Sequence, residues 1–260
     1  MRGLAGRAAL VCGGSEGIGL AAAQALAAMG ASVWLLARTE SKLQAALTTL
    51  PAASDGAHGV IIADAAKPDE LVERVRAAAG DATVSVLVNN SAGPPPGAIA
   101  SASPAQFIAT IEQQLLAAHS LAQLLLPGMR AQRFGRIVNV ISTSVREPIA
   151  GLGVSNTARA AVAAWAKTLA SEVAADGITV NSVLPGYTRT ARLAQILESR
   201  AAASGRSVAA VETETLASVP AGRFAEPADV AAAIAFYASP QAGYVTGTTL
   251  AVDGGRTKAL

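Results

Sequence analysis

The sequence predicts an α/β fold built as one doubly wound parallel sheet with helices on both faces, and three observations predict it. Short apolar runs alternate along the chain with longer, Ala- and Leu-rich amphipathic segments, the signature of strands joined by crossover helices. The length, 260 residues, suits a single sheet of this kind and leaves little for a second core. Residues 8–12, Ala-Ala-Leu-Val-Cys, break into a glycine-rich turn that opens directly into a helical segment.

In chain order, strands are predicted at 8–12, 32–37, 59–63, 84–89, 136–142, 178–184 and 248–252. Helices are predicted at 19–29, 41–50, 68–79, 104–130, 155–175 and 227–238. Ser41 is placed as an N-cap of the second helix, and Ser103 as the N-cap ahead of Pro104 in the fourth. Pro68, Pro104 and Pro227 suit a first helical turn, where a missing N–H costs nothing. Neither an internal repeat nor a linker is evident, so residues 1–260 read as one domain. Pro94-Pro95-Pro96-Gly97 reads as a stiff loop after the fourth strand. Residues 190–222, polar and Ala-rich with weak periodicity, read as a lid of short helices over the site.

Composition narrows the function. Hydrophobic residues make up 52% and charged residues 15%, which excludes disorder and supplies an ample core. Aromatics are only 3%, so that core is aliphatic. The net charge of +2 comes from 20 basic and 18 acidic side chains with no basic cluster, which argues against nucleic acid as a main partner. No apolar run reaches membrane-spanning length. Cys12 is the only cysteine and reads as a small core residue. With two His and one Cys, no familiar metal-ligand spacing can be assembled. The expectation is a soluble cytoplasmic protein without a metal.

The turn Gly13-Gly14-Ser15-Glu16-Gly17-Ile18-Gly19 points to the ligand. Gly13 can take the tight bend, Gly17 admits a phosphate close to the backbone, and Gly19 lets the helix sit against the strand. Free amides at the helix start and the positive end of its dipole suit a pyrophosphate.

These motifs resemble the short-chain dehydrogenase/reductase family, close to its 3-oxoacyl-[acyl-carrier-protein] reductase branch, and the resemblance covers nearly the whole chain. Cys12-Gly13-Gly14-Ser15-Glu16-Gly17-Ile18-Gly19 is similar to the family's Thr-Gly-x-x-x-Gly-x-Gly, with Cys for Thr. Asp64, followed by Ala65, occupies the place of the family's adenine-binding Asp. Asn89-Asn90-Ser91-Ala92-Gly93 is similar to Asn-Asn-Ala-Gly, and Pro185-Gly186-Tyr187-Thr188-Arg189-Thr190 fits Pro-Gly-x-x-x-Thr beside the nicotinamide. The resemblance implies a Rossmann-type sheet, a nicotinamide coenzyme, a small carbonyl or alcohol substrate (acyl-thioester-like in the nearest branch), and a homotetramer. At the end of the second strand, Leu36-Ala37-Arg38-Thr39 offers a guanidinium and no carboxylate. That favours NADP(H) over NAD(H), because the 2′-phosphate needs a cation. Glu16 pulls the other way.

The reaction group departs from the family. Its Asn, Ser, Tyr and Lys correspond here to Gln114, Ser142, Ser155 and Arg159, so only the serine is kept. A phenol has a pKa near 10 and an aliphatic hydroxyl lies near that of water, about 15.7, so full proton transfer from Ser155 costs about 8 kcal/mol more, an upper bound. Arg159 can supply charge and hold ribose hydroxyls but cannot relay a proton as Lys might. Tyr187 could supply a phenol from the opposite wall, with packing beneath the lid as its competing role. Water held by Ser142 and Ser155 is the other proton source. Three functions follow: an oxidoreductase with a non-standard proton donor, an NADP(H)-binding regulatory protein without turnover, and, last, non-redox chemistry like that of the halohydrin dehalogenases. His58 and His119 are expected to be structural.

Overall fold

The computed structural model describes residues 3–80 and 83–259. Its centre is a seven-stranded, all-parallel sheet: β1 (Ala8–Cys12), β2 (Ser32–Ala37), β3 (Gly59–Ile62), β4 (Val84–Asn90), β5 (Gly135–Val140), β6 (Ile178–Pro185) and β7 (Thr249–Val252). The spatial order is β3-β2-β1-β4-β5-β6-β7. The order reverses between β1 and β4, and the crevice at their carboxyl ends is where ligands of such sheets bind.

Alternate side chains of β1 feed two cores, as a strand covered on both faces requires. Ala9 and Val11 join Leu26 of α1 (Gly17–Ala28) and Val230 and Ile234 of α9 (Pro227–Ala238). Leu10 and Cys12 join Leu71 and Val75 of α3 (Pro68–Ala79), Leu121 of α5 (Ala117–Ala131) and Ala166 of α6 (Gly153–Val173). Both cores are mainly aliphatic, with Phe134 and Tyr237 buried in the first, and burial pushes the Cys12 thiol up to about 12, leaving it un-ionised.

Several elements differ from the sequence reading. Strand β5 runs only to Val140 rather than to residue 142; the Ile141 amide still donates to the Val183 carbonyl of β6 at 3.0 Å, and Ser142 caps the turn that follows. Helix α2 (Glu40–Leu47) starts one residue early and its N-cap is Thr39, not Ser41. The expected helix over 104–130 is interrupted: α4 (Pro104–Ile111) passes into a π-helical turn, Glu112–Leu116, before α5 begins. The widened turn buries Gln114, whose amide donates to the Ala92 carbonyl at 3.2 Å. Ser103 caps α4 as expected, in a capping box with Gln106.

Residues 190–222, expected as short weakly periodic pieces, hold two regular helices, α7 (Ala191–Ser204) and α8 (Val208–Ala217). They pack through Leu193, Leu197 and Val211 around Phe224. Among the described residues no helix is long and apolar enough to cross a membrane.

Candidate active site

The turn after β1 is fixed by backbone contact. Gly13 sits at φ +60°, a conformation costly for any residue with a Cβ. The Asn90 side-chain amide, at the end of β4, donates to the Cys12 and Gly13 carbonyls at 3.3 and 3.4 Å. A Cβ on Gly19 would collide with the Gly13 carbonyl oxygen. Glu16 is the extended N-cap of α1, and no side chain caps the helix. Gly17 and Ile18 open that helix, so its first amides are available to an oxyanion.

The rest of the predicted binding set lies along the same edge. Arg38 is exposed just after β2. Glu16, which argued against phosphate by its charge, pairs with Lys42 of α2 at 2.8 Å. Asp64 accepts from the Ala66 amide at 3.0 Å, in the turn that carries Ala65. Gly186, after Pro185, lies against Asp253, so closely that a Cβ there would come within 2.6 Å of it. Thr188 donates to the Gly186 carbonyl and Thr190 to the Thr188 carbonyl, each at 3.2 Å. The Thr190 methyl faces Gly17, whose Cβ would be 3.2 Å away. Ser15 and Gly14 complete the turn, and the Gly14 amide donates to Leu36 O.

Beyond β5, Ser142 accepts from the Ser144 amide at 3.0 Å, which leaves its own O–H free to donate. Ser155, buried on the first turn of α6, faces Arg159 one turn on, whose Nε donates to its Oγ at 3.4 Å. Arg159 Nη1 donates to the Val140 and Ile141 carbonyls at 3.1 and 2.8 Å. The guanidinium thus grips the carboxyl end of β5. Burial first, then the nearby charge of Arg192, pulls Arg159 down to about 10, so it stays charged at neutral pH.

Behind it lies a cavity of about 30 Å³ lined by Asn90, Ser91, Gln114, Asn139 and Arg159. Gln114 Oε1 and Asn139 Nδ2 are buried without hydrogen-bond partners. A free acceptor and a free donor around that volume can hold a water molecule, which needs only about 10–15 Å³.

Tyr187 takes the packing role. Its ring meets Phe224 edge-on at 6.0 Å, and its hydroxyl accepts from Arg200 at 3.2 Å. The Arg256 guanidinium stacks over the same ring at 4.8 Å. Glu147, in the segment following Ser142, accepts from the backbone amides of Lys258 and Ala259. His58 accepts from the Val33 amide at 3.0 Å and His119 from Trp165 at 3.3 Å, both away from the cleft. No group of three or more potential metal ligands occurs among the described residues.

Sequence reading missed Arg192. From the start of α7 it donates to the Pro94 carbonyl at 2.8 Å and lies against Gly93. Its one visible signal was a cation two residues past Thr190 with no acidic residue within four positions.

A doubly wound sheet with a glycine turn at its switch point defines a nucleotide-binding α/β protein. Residues 13–257 match the family described as Enoyl-(Acyl carrier protein) reductase. The chain is 37% identical over 253 residues to the 3-oxoacyl-[acyl-carrier-protein] reductase FabG of Vibrio cholerae, covering 97% of this chain and 98% of that one. Among solved structures it is similar to L-sorbose reductase from Gluconobacter frateurii complexed with NADPH and L-sorbose. That likeness has TM-score 0.88 and 30% identity, over 100% of this chain and 99% of the other. It is similar as well to a 3-oxoacyl (acyl-carrier-protein) reductase from Agrobacterium tumefaciens C58 with NADP bound. There the TM-score is 0.87 and the identity 27%, over 98% and 95% of the two chains. The chain belongs to the short-chain dehydrogenase/reductase family, in the 3-oxoacyl-[acyl-carrier-protein] reductase branch.

Proposed function

We propose that this protein is an NADP(H)-dependent oxidoreductase that passes a hydride between the nicotinamide and a carbonyl or alcohol carbon, with water in place of the usual tyrosine as proton carrier. The observation that carries the reading is the turn after β1, where bent and crowded glycines leave the α1 amides free for a diphosphate. Arg38 supplies a cation for a 2′-phosphate, and Lys42 neutralises Glu16 beside it. The NADPH and NADP in the two related structures support the same coenzyme.

When bound, the coenzyme supplies or accepts the hydride; the residues of this chain do the rest. Ser142 donates its free O–H to the substrate oxygen. Arg159 holds the ribose hydroxyls and stabilises negative charge developing on that oxygen, a role suited to a fixed guanidinium in a partly buried site. Ser155, held by Arg159 Nε, orders a water within reach of Ser142, and Arg159 also lines the polar cavity at Gln114 and Asn139. Residues 190–222 form the substrate lid on the single domain. Tyr187 positions that lid through Phe224 and Arg200. A homotetramer fits the exposed Ile108 and Leu116 near α4 and α5, and Phe236 and Leu250 near the sheet's last strand.

Hydride transfer from NADPH to a carbonyl panel, with Ser142→Ala as control, tests this. Turnover falling about 100-fold or more in the variant, with NADPH affinity retained, is the expected result. Equal turnover in both proteins overturns the role of Ser142, and tight NADPH binding without turnover makes the chain a coenzyme-binding regulatory protein.

A further inference from the structure

Two guanidinium groups, of Arg159 and Arg192, reach the carboxyl ends of β4 and β5, and neither is paired with an acidic side chain among the described residues. Arg159 comes from α6 and grips the Val140 and Ile141 carbonyls at the end of β5. Arg192 comes from the start of α7 and grips Pro94, in the loop that follows β4. Strands β4 and β5 are hydrogen-bonded neighbours, with Asn90 opposite Val140. The two cations are therefore anchored at the carboxyl ends of adjacent strands, near enough for the charge of Arg192 to act on Arg159. Neither lies within 4 Å of an acidic side chain among the described residues. Each uses only part of its donor set: Arg159 Nη2 and Arg192 Nη1 and Nε have no hydrogen-bond acceptor among the described residues.

Partly buried cations without a counter-charge are costly, and a neighbouring like charge adds to the cost. Burial lowers both guanidinium groups from their ordinary range, and each remains a cation at neutral pH. An oxyanion between them removes that penalty and uses the idle donors in charge-assisted bonds.

We propose that Arg159 and Arg192 form a clasp for an oxyanion carried by the substrate, so that the substrate class is a carboxylate-bearing carbonyl or hydroxy compound. This rests on the oxidoreductase reading above. The diphosphate of the coenzyme offers the same chemistry, but it has its own site at the start of α1. Arg159, by contrast, stands beside Ser142 and Ser155, where the reacting carbon must lie. Arg200 and Arg256 on the lid side, around Tyr187, add positive charge along the entry.

Calorimetry with oxalate and with its neutral isostere oxamide, on the protein alone and saturated with NADPH, tests the clasp. Oxalate is expected to bind at least tenfold tighter than oxamide. Arg192→Gln should weaken oxalate at least tenfold while NADPH affinity stays within threefold, and Arg192→Lys should restore part of the loss. Unaltered thermal melting of the variants separates this from misfolding. Equal binding of oxalate and oxamide overturns the proposal. So does a tenfold loss of NADPH affinity in Arg192→Gln, which assigns that arginine to the diphosphate. Oxalate binding that depends on Arg192 in a protein that fails to bind NADPH keeps the clasp and overturns the coenzyme reading instead.

Discussion

The turn after β1 and the edge after β5 open onto the same cleft, yet they are constrained by different physics. At the turn, the constraint is shape. Gly13 needs a left-handed backbone, and Gly19 has no room for a Cβ against Gly13. At the β5 edge the constraint is chemical. The resemblance puts Ser155 and Arg159 in the slots of the family's tyrosine and lysine, and the backbone accommodates them, since Arg159 finds acceptors in Val140 and Ile141. Coenzyme docking depends on a backbone that tolerates almost no change. The proposed proton delivery rests on side chains that can be exchanged without disturbing the fold. One can therefore stay intact while the other is rebuilt.

The comparison can be broken most sharply at the β5 edge. Ser155→Tyr combined with Arg159→Lys restores an acid of ordinary strength, and turnover on a neutral ketone should rise roughly 100- to 10,000-fold. Stopped-flow oxidation of NADPH reads this out, and no gain would mean the rest of the edge is not built for carbonyl chemistry. At the turn, Gly19→Ala should cost about 2–4 kcal/mol of stability, measured by denaturant unfolding, together with loss of coenzyme binding. A variant as stable as the parent would show that the turn has slack. The next effect is on coenzyme choice. Arg38→Ala should lower NADPH affinity about 10- to 100-fold, the worth of a charge-assisted bond, and leave NADH affinity unchanged in fluorescence titration.

The smallest effect lies away from the cleft, where α9 begins. Arg223 donates two hydrogen bonds to Asp229, at 2.6 and 2.9 Å. These bonds first, then the Glu226 amide, hold its carboxyl down to about 2. Because the folded value lies below the unfolded one, the contribution is complete above about pH 4. It is lost as pH falls toward 2. Asp229→Asn should cost at most about 1 kcal/mol at pH 7, since the pair is exposed, and its melting curve should meet the parent's near pH 2.

Much of the fold was legible because the signals were local. The apolar runs found all seven strands, and Pro68, Ser103 and Pro227 marked helix starts within a residue. The π-helical turn at Glu112–Leu116 was not legible, because what holds it is the bond from Gln114 to the Ala92 carbonyl, 22 positions back. The early end of β5 escaped for a similar reason. Apolar Ile141 continues the strand pattern and keeps its bond to the Val183 carbonyl, and only at the Ser142-capped turn does the chain leave the sheet.

In the site, the family resemblance singled out Ser142, Ser155 and Arg159, and one helix turn sets the last two against each other. Lys42 and Arg192 stayed hidden because their partners lie 26 and 98 positions away. Tyr187 stands as a candidate acid by its place after Gly186, and nothing in the sequence signals that its hydroxyl accepts from Arg200, 13 positions on.

Glu147 has a further consequence. By accepting the amides of Lys258 and Ala259, it ties the far end of the described chain to the stretch just past the reactive serine. The two segments are thereby joined across more than a hundred positions of sequence. Bulk introduced at residues 256–259 is expected to reach the stretch after Ser142 through that tie rather than through the cleft.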